Sequence, residues 1–257
     1  MGVINAYELD GQLRPVAILR GVRSLTVERS VSSDSSLVQS ATIEVDSESW
    51  AGGWVGIEAS DPAVGDLGAF LFEVSSSKLS DGMRTVSADG RSVLCAADEM
   101  DVETGSYVAG GADAVAFAAS MLSVCPSQVY ASGFAVLPES VVFGKSTSRL
   151  AAAWQVLRSG GYGISLGERI EVAPVPTEPS LYVTESDSMG VTGDVSAKGD
   201  ELSWSRVVLD ELAPLDVVHV DLPRLGVSGD YRLMSQSLKF GATIIANETL
   251  MEVSSGY

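Results

Sequence analysis

From Val16 to about Arg91 apolar and polar residues alternate with period two. In SLTVERSV, Leu25 and Val27 fall on one side and Thr26 and Glu28 on the other; in ATIEVDSE, Ala41, Ile43 and Val45 alternate with Thr42, Glu44 and Asp46. Successive side chains of a strand point to opposite faces, so these runs predict half-buried antiparallel strands. SVSSDSSLVQ between them reads as a polar connection. AGGW, Ala51 to Trp54, supplies hairpin glycines before the run VGIEA. Gly65 to Gly68 precedes AFLFEV, where Phe70, Phe72 and Val74 share a face, and Ser80 to Gly82 turns into MRTVSADGR. Five or six strands with short turns and no intervening helix predict a small barrel or sandwich.

The pattern changes after Arg91. ADAVAFAASMLSV, Ala112 to Val124, is alanine-rich and stops before Pro126, which predicts a helix. A second helix has N-cap hydroxyls at Ser146, Thr147 and Ser148, an apolar stripe at Leu150, Ala153, Trp154 and Leu157, and a stop at Gly160-Gly161. YGISLGERIEVAPV then reads as a hairpin turning at Gly167-Glu168. Pro174, Pro176 and Pro179 form a stiff boundary. From Leu181 alternation returns, with LSWSRVVL, DVVHVDL, YRLMSQSLKF and TIIANETLMEV as strands. The predicted class is mainly β with an α+β middle. No repeat is visible in the letters, yet the first and last thirds share an architecture, which hints at duplicated barrels.

Charge narrows the function classes. Lys and Arg number 16 against 34 Asp and Glu in 257 residues, a formal net charge of -18. With 46% of residues apolar the chain is globular in composition. The acid excess repels phosphate, which excludes nonspecific adhesion to nucleic acid and to anionic lipid. MGVINAYELD has neither a basic n-region nor an apolar h-region, so no secretory signal is expected in it, and Ala6 stands where an acylation site wants Ser or Thr. No apolar run reaches the roughly 18 residues that span a bilayer, so no membrane insertion is expected. Cys95 and Cys125 lack any CxxC pattern and are expected to be buried, reduced thiols.

Several stretches spell chemistry-bearing patterns, and each has a plainer use. Gly163-Ile164-Ser165-Leu166-Gly167 spells GxSxG, with His219 later in the chain. A nucleophile elbow needs a strand before the serine and a helix after it, whereas here a strand follows. One histidine and two cysteines about thirty residues apart exclude a His or Cys zinc site. Asp98 to Glu103, DEMDVE, carries oxygen ligands suited to calcium but lacks EF-hand glycine and spacing, so a solvated acidic face is expected. Asn247-Glu248-Thr249 matches a glycosylation acceptor inside a strand pattern. Trp50 and Trp54 offer a sugar platform, with cross-strand packing the expected use. There is no P-loop and no GxGxxG. No residue is singled out as catalytic, cofactor-binding or metal-ligating, and no cofactor is expected.

Three stretches carry a resemblance. LRGVRSLTVERSVSSDSSLVQSATIEVD, KSTSRLAAAWQVLRSGGYGISLGERIEVAPVP and LAPLDVVHVDLPRLGVSGDYRLMSQSLKFGATIIANETLMEV resemble, in that order, parts of the baseplate hub proteins at the tip of phage tails and of related injection machines. They are similar to the first tube-forming barrel, the helix and hairpin of the middle domain, and the second tube barrel. The resemblance implies a first β-barrel tube domain at 1–92, an α+β connecting domain at 93–176 and a second β-barrel tube domain at 177–257. It implies a virion structural protein, assembled in the bacterial host cytoplasm. Three copies would form a hub ring adapting a sixfold tail tube to a threefold tip. The implied partners are the tail tube or distal tail protein, the tape measure and a spike or tip protein. A carboxylate-lined lumen would pass DNA without specific binding. Two other readings stand beside it: a β-rich receptor- or glycan-binding module, and a serine hydrolase using Ser165.

Overall fold

The computed structural model describes residues 3–31, 37–46, 53–61, 65–80, 85–188, 190–210, 212–241 and 243–253. The first third forms seven strands: β1 (Val3–Leu9), β2 (Pro15–Ile18), β3 (Val22–Val31), β4 (Leu37–Asp46), β5 (Trp54–Asp61), β6 (Gly65–Ser80) and β7 (Thr85–Ser92). The alternation behaves as read. Leu25, Val27, Ala41, Ile43 and Val45 are buried while Glu28 and Thr42 are exposed. Two things differ. The opening residues form a strand, β1, lying between β5 and β2, and β3 and β4 run into the stretch read as a polar connection. Ser, Thr and Gln continue a ladder when backbone pairing is available, because the backbone bonds do not depend on side-chain polarity.

The middle third holds α1 (Cys95–Asp98), β8 (Tyr107–Val108), α2 (Ala114–Leu122), β9 (Val129–Ala131), β10 (Val141–Val142), α3 (Arg149–Ser159), β11 (Tyr162–Leu166) and β12 (Ile170–Pro174). Asp113 caps α2 by accepting from the Val115 N–H, and Ser148 caps α3 by accepting from the Ala151 N–H. Helix α3 buries Leu150, Ala153, Trp154 and Leu157, the stripe read from the sequence. It packs with α2 on the β11–β12 hairpin, to which β9 adds in parallel.

The last third contributes β13 (Pro179–Thr184), β14 (Ser196–Lys198), β15 (Glu201–Val207), β16 (Val217–Leu222), β17 (Val227–Phe240) and β18 (Ile245–Glu252). These strands do not stand apart from the first third. β17 pairs antiparallel with β3 from Ser235↔Ser30 to Phe240↔Leu25. A single 13-stranded sheet results, in the order β14-β15-β18-β17-β3-β4-β7-β6-β5-β1-β2, with β16 on β17 and β13 parallel to β16. The core of the first third accordingly includes Val208, Leu238, Phe240, Ile244 and Ala246. The mainly β, largely antiparallel character with a helical middle is present. Among the described residues no barrel closes, since the path of strands ends at β14 and β2.

Candidate functional face of the shared sheet

Residue registers fix what each side of the shared sheet presents. Leu25, Val27, Ala41, Ile43, Ala88, Leu238 and Ala246 point to the core. Their neighbours point the other way and line up across strands. One row runs Ser205, Asn247, Ser237, Glu28, Ser40, Arg91, Glu73. The next runs Ser203, Thr249, Ser235, Ser30, Val38. Glu28, Ser30, Ser40, Ser203, Ser205, Ser237, Asn247 and Thr249 help to line a concavity of about 560 Å³ on this face. Strands from the first and last thirds therefore build one hydroxyl-rich surface together.

Charge on this face is nearly balanced. From β14 to the C-terminal half of β6 it carries the carboxylates Glu28, Glu44, Asp46, Glu73, Asp89 and Glu201 and the cations Arg23, Lys78, Arg91, Lys198 and Lys239, with Asp194 at the concavity. Most of these acids are engaged. Asp46 pairs with Arg23 at 2.8 Å and Glu73 with Arg91 at 2.7 Å. Glu44 accepts from the Ser24 hydroxyl at 2.9 Å, and Asp89 accepts from Ser76 at 2.9 Å and Thr42 at 3.2 Å. The chain's surplus of acids lies elsewhere.

Behind the face, at the junction of the two thirds, sits a buried polar network. Glu248 of β18 takes a forked pair of bonds from Arg206 of β15, Nε to Oε2 at 2.7 Å and Nη2 to Oε1 at 3.0 Å. It also accepts from the Trp204 indole at 2.7 Å and the Gln236 amide at 2.6 Å. Gln236 in turn accepts from Arg29 Nε of β3 at 2.8 Å, and Arg29 donates to the Leu212 carbonyl. Both side chains of the Arg206–Glu248 pair are fully buried, and Asp210 approaches Arg206 Nη1 at 3.0 Å without hydrogen-bond alignment. Burial alone pulls the Arg206 guanidinium toward neutrality; the Glu248 hydrogen bonds more than reverse this and raise its pKa.

Comparisons with solved structures bear on this architecture. The tail protein of Neisseria meningitidis MC58 superposes with a TM-score of 0.67 at 11% identity, over 98% of this chain and 97% of its own. The tail protein of prophage MuSo2 from Shewanella oneidensis gives 0.67 at 8% identity over 98% of each chain. The chain has a phage tail-protein fold. The prophage tail protein gp18 of Listeria monocytogenes EGD-e shares it, with a TM-score of 0.60 at 9% identity over 98% of this chain and 95% of that one. An Escherichia coli component of the type VI secretion system, described as structurally similar to the T4 tail proteins gp27 and gp5, matches at 0.56 and 9% identity over 92% of this chain and 75% of its own. No family model and no curated protein matches the sequence.

Within this tail-protein fold the chemistry-bearing patterns fall apart. Ser165 lies mid-strand in β11, opposite Glu171, with strand β12 following it. His219 lies on β16 in the other sheet, where its Nδ1 meets Asp230 at 2.6 Å. The DEMDVE carboxylates serve separate partners: Asp98 accepts from Ser148 at 3.1 Å and Glu99 pairs with Arg91. Among the described residues no three His, Cys, Asp or Glu side chains gather as a metal site, and no helix is long and apolar enough to cross a membrane. Trp54 packs against the middle core, and Trp50 lies outside the described residues. Asn247 accepts from the Ser205 hydroxyl at 2.6 Å on the shared face. Both cysteines are free; Cys125 is buried, whereas Cys95 is only partly so, contrary to expectation.

Proposed function

We propose that the protein is a structural subunit of a phage tail tip or baseplate: a hub whose three copies form a ring that adapts a sixfold tail tube to a threefold tip. The observation that carries this reading is the shared sheet. Eight successive strands, from β14 to the C-terminal half of β6, alternate in direction and present one continuous polar face. Both ends of the run are open. β14 is exposed throughout, and β6 beyond Val74 pairs only with β7 among the described residues. Leu79 on that stretch is 57% exposed. Open strand edges invite pairing with another chain, and a head-to-tail contact that closes makes a ring. Strand β2 adds a third uncovered edge, with Val16 63% and Ile18 64% exposed.

In this arrangement the polar face lines part of the DNA channel. Residues 1–92 and 177–257 act as the two tube-forming domains, with 93–176 connecting them. The tail tube or distal tail protein, the tape measure and a spike or tip protein are the partners, and the site of action is the virion after assembly in the host cytoplasm. The role is structural rather than catalytic, which the separation of Ser165 from His219 supports. Light scattering on the purified chain, alone and mixed with tail-tube protein, tests the reading. Three copies of a 26.8 kDa chain give about 80 kDa. A protein that stays monomeric in both conditions and is missing from purified tails overturns it.

A further inference from the structure

We propose that the polar face of the shared sheet avoids adhesion to duplex DNA by charge compensation and not by repulsion, so that the chain's acid surplus acts on its other surfaces. The inference rests on the channel reading above and deepens it by stating how the wall meets a polyanion. The physical argument starts from distance. Charges on exposed surfaces are screened within about 8–10 Å at physiological salt, so what DNA senses at a wall is the local charge and not the chain total. Locally, seven carboxylates, six on the strands and Asp194 at the concavity, face five cations, a surplus of two, whereas the whole chain carries 34 acids against 16 bases, a surplus of 18. Two of these acids, Asp46 and Glu73, are ion-paired with Arg23 and Arg91, and two more, Glu44 and Asp89, are fixed by neighbouring hydroxyls, so the net negative charge the wall projects is small beside that of the whole chain.

What remains between the charges is mostly Ser, Thr and Asn side chains, with Val38 and Ile245 exposed among them. Hydroxyls exchange hydrogen bonds with water and phosphate at little net gain, since each bond made replaces one to solvent. No counterions are released when phosphate approaches, so the term that dominates nonspecific DNA affinity is missing. A wall of this kind neither holds DNA nor pushes it toward the axis.

The test compares two variants of equal net charge. Ser30→Lys, Ser40→Lys and Ser237→Lys together convert the compensated face to a basic one; Ser123→Lys, Ser180→Lys and Ser228→Lys together place the same three lysines on exposed positions elsewhere. Fluorescence anisotropy with a short duplex at low salt is expected to show binding by the first triple alone. Its affinity should rise at least tenfold over the unmodified chain, with a log–log salt slope of about -3 for three phosphate contacts. Matching melting curves establish that both variants are folded. Binding by neither triple, or by both equally, overturns the proposal, because the acid field would then be uniform over the molecule. Phage particles carrying the first triple separate this from the channel reading: slowed DNA ejection supports both. Unchanged ejection by particles that contain the variant, together with binding by the isolated variant, overturns the channel reading and leaves the compensated face standing.

Discussion

Glu248 concentrates more of the fold's risk than any other side chain described. It accepts four bonds, from Arg206 twice, Trp204 and Gln236, in a place without water access. Removing one member of such a pair strands a buried charge, so Glu248→Ala is expected to cost about 3–5 kcal/mol in urea unfolding, while the double change Arg206→Met with Glu248→Leu should cost markedly less. The sequence carried a signal for this network that alternation alone did not exploit. In TIIANETLMEV, Glu248 falls on the side of Ala246 and Leu250, and in ELSWSRV, Arg206 falls on the side of Leu202 and Trp204. Opposite charges at apolar-face positions of two strands point to a buried pair. Cys125 makes a second residue-scale case. Burial pushes its thiol up to about 11. The folded chain therefore holds this proton where the unfolded chain releases it, near pH 9, and stability should fall as pH rises from about 9 to about 11. Chemical denaturation at stepped pH checks this, with Cys125→Ala flattening the slope.

Strands and helices were legible where periodicity was local. The α3 stripe, its Ser148 cap and the β11–β12 hairpin follow from short windows of text, because helix capping and side-chain alternation act over a few residues. The long strand β6 was not legible as one element. Its first half pairs with β5 and its second with β7, the two ladders overlapping at Phe72 and Glu73, and a bulge between Val74 and Ser76 follows just after the change of neighbour. Such a change of partner depends on distant strands and leaves no period in the sequence. Gly90 shows how tight the crossing is: a Cβ there would stand 2.8 Å from the Phe72 Cβ. Gly90→Ala is expected to lower stability by about 1–3 kcal/mol through overpacking, measurable as a shift in denaturation midpoint at unchanged slope.

At the scale of the whole molecule the sequence yielded the class and missed the connection. Two β thirds around a helical middle could be read, but the β3–β17 ladder joins residues too far apart for any window of text, and with it came the common face and its charge balance. The net charge of -18 proved a poor guide to that face, since composition counts charges without placing them. The same ladder constrains synthesis. Arg29 meets Gln236 across 207 positions. At the roughly 5–20 residues per second at which ribosomes elongate, the β3 edge waits on the order of 10–40 s for its partner. During that interval the nascent chain exposes an unpaired strand and an incomplete core, a state prone to aggregation and a natural client for chaperones. It also means that the sheet end built by β14 and β15 awaits β18, so a neighbouring strand can add to that end only after residue 252 has been made.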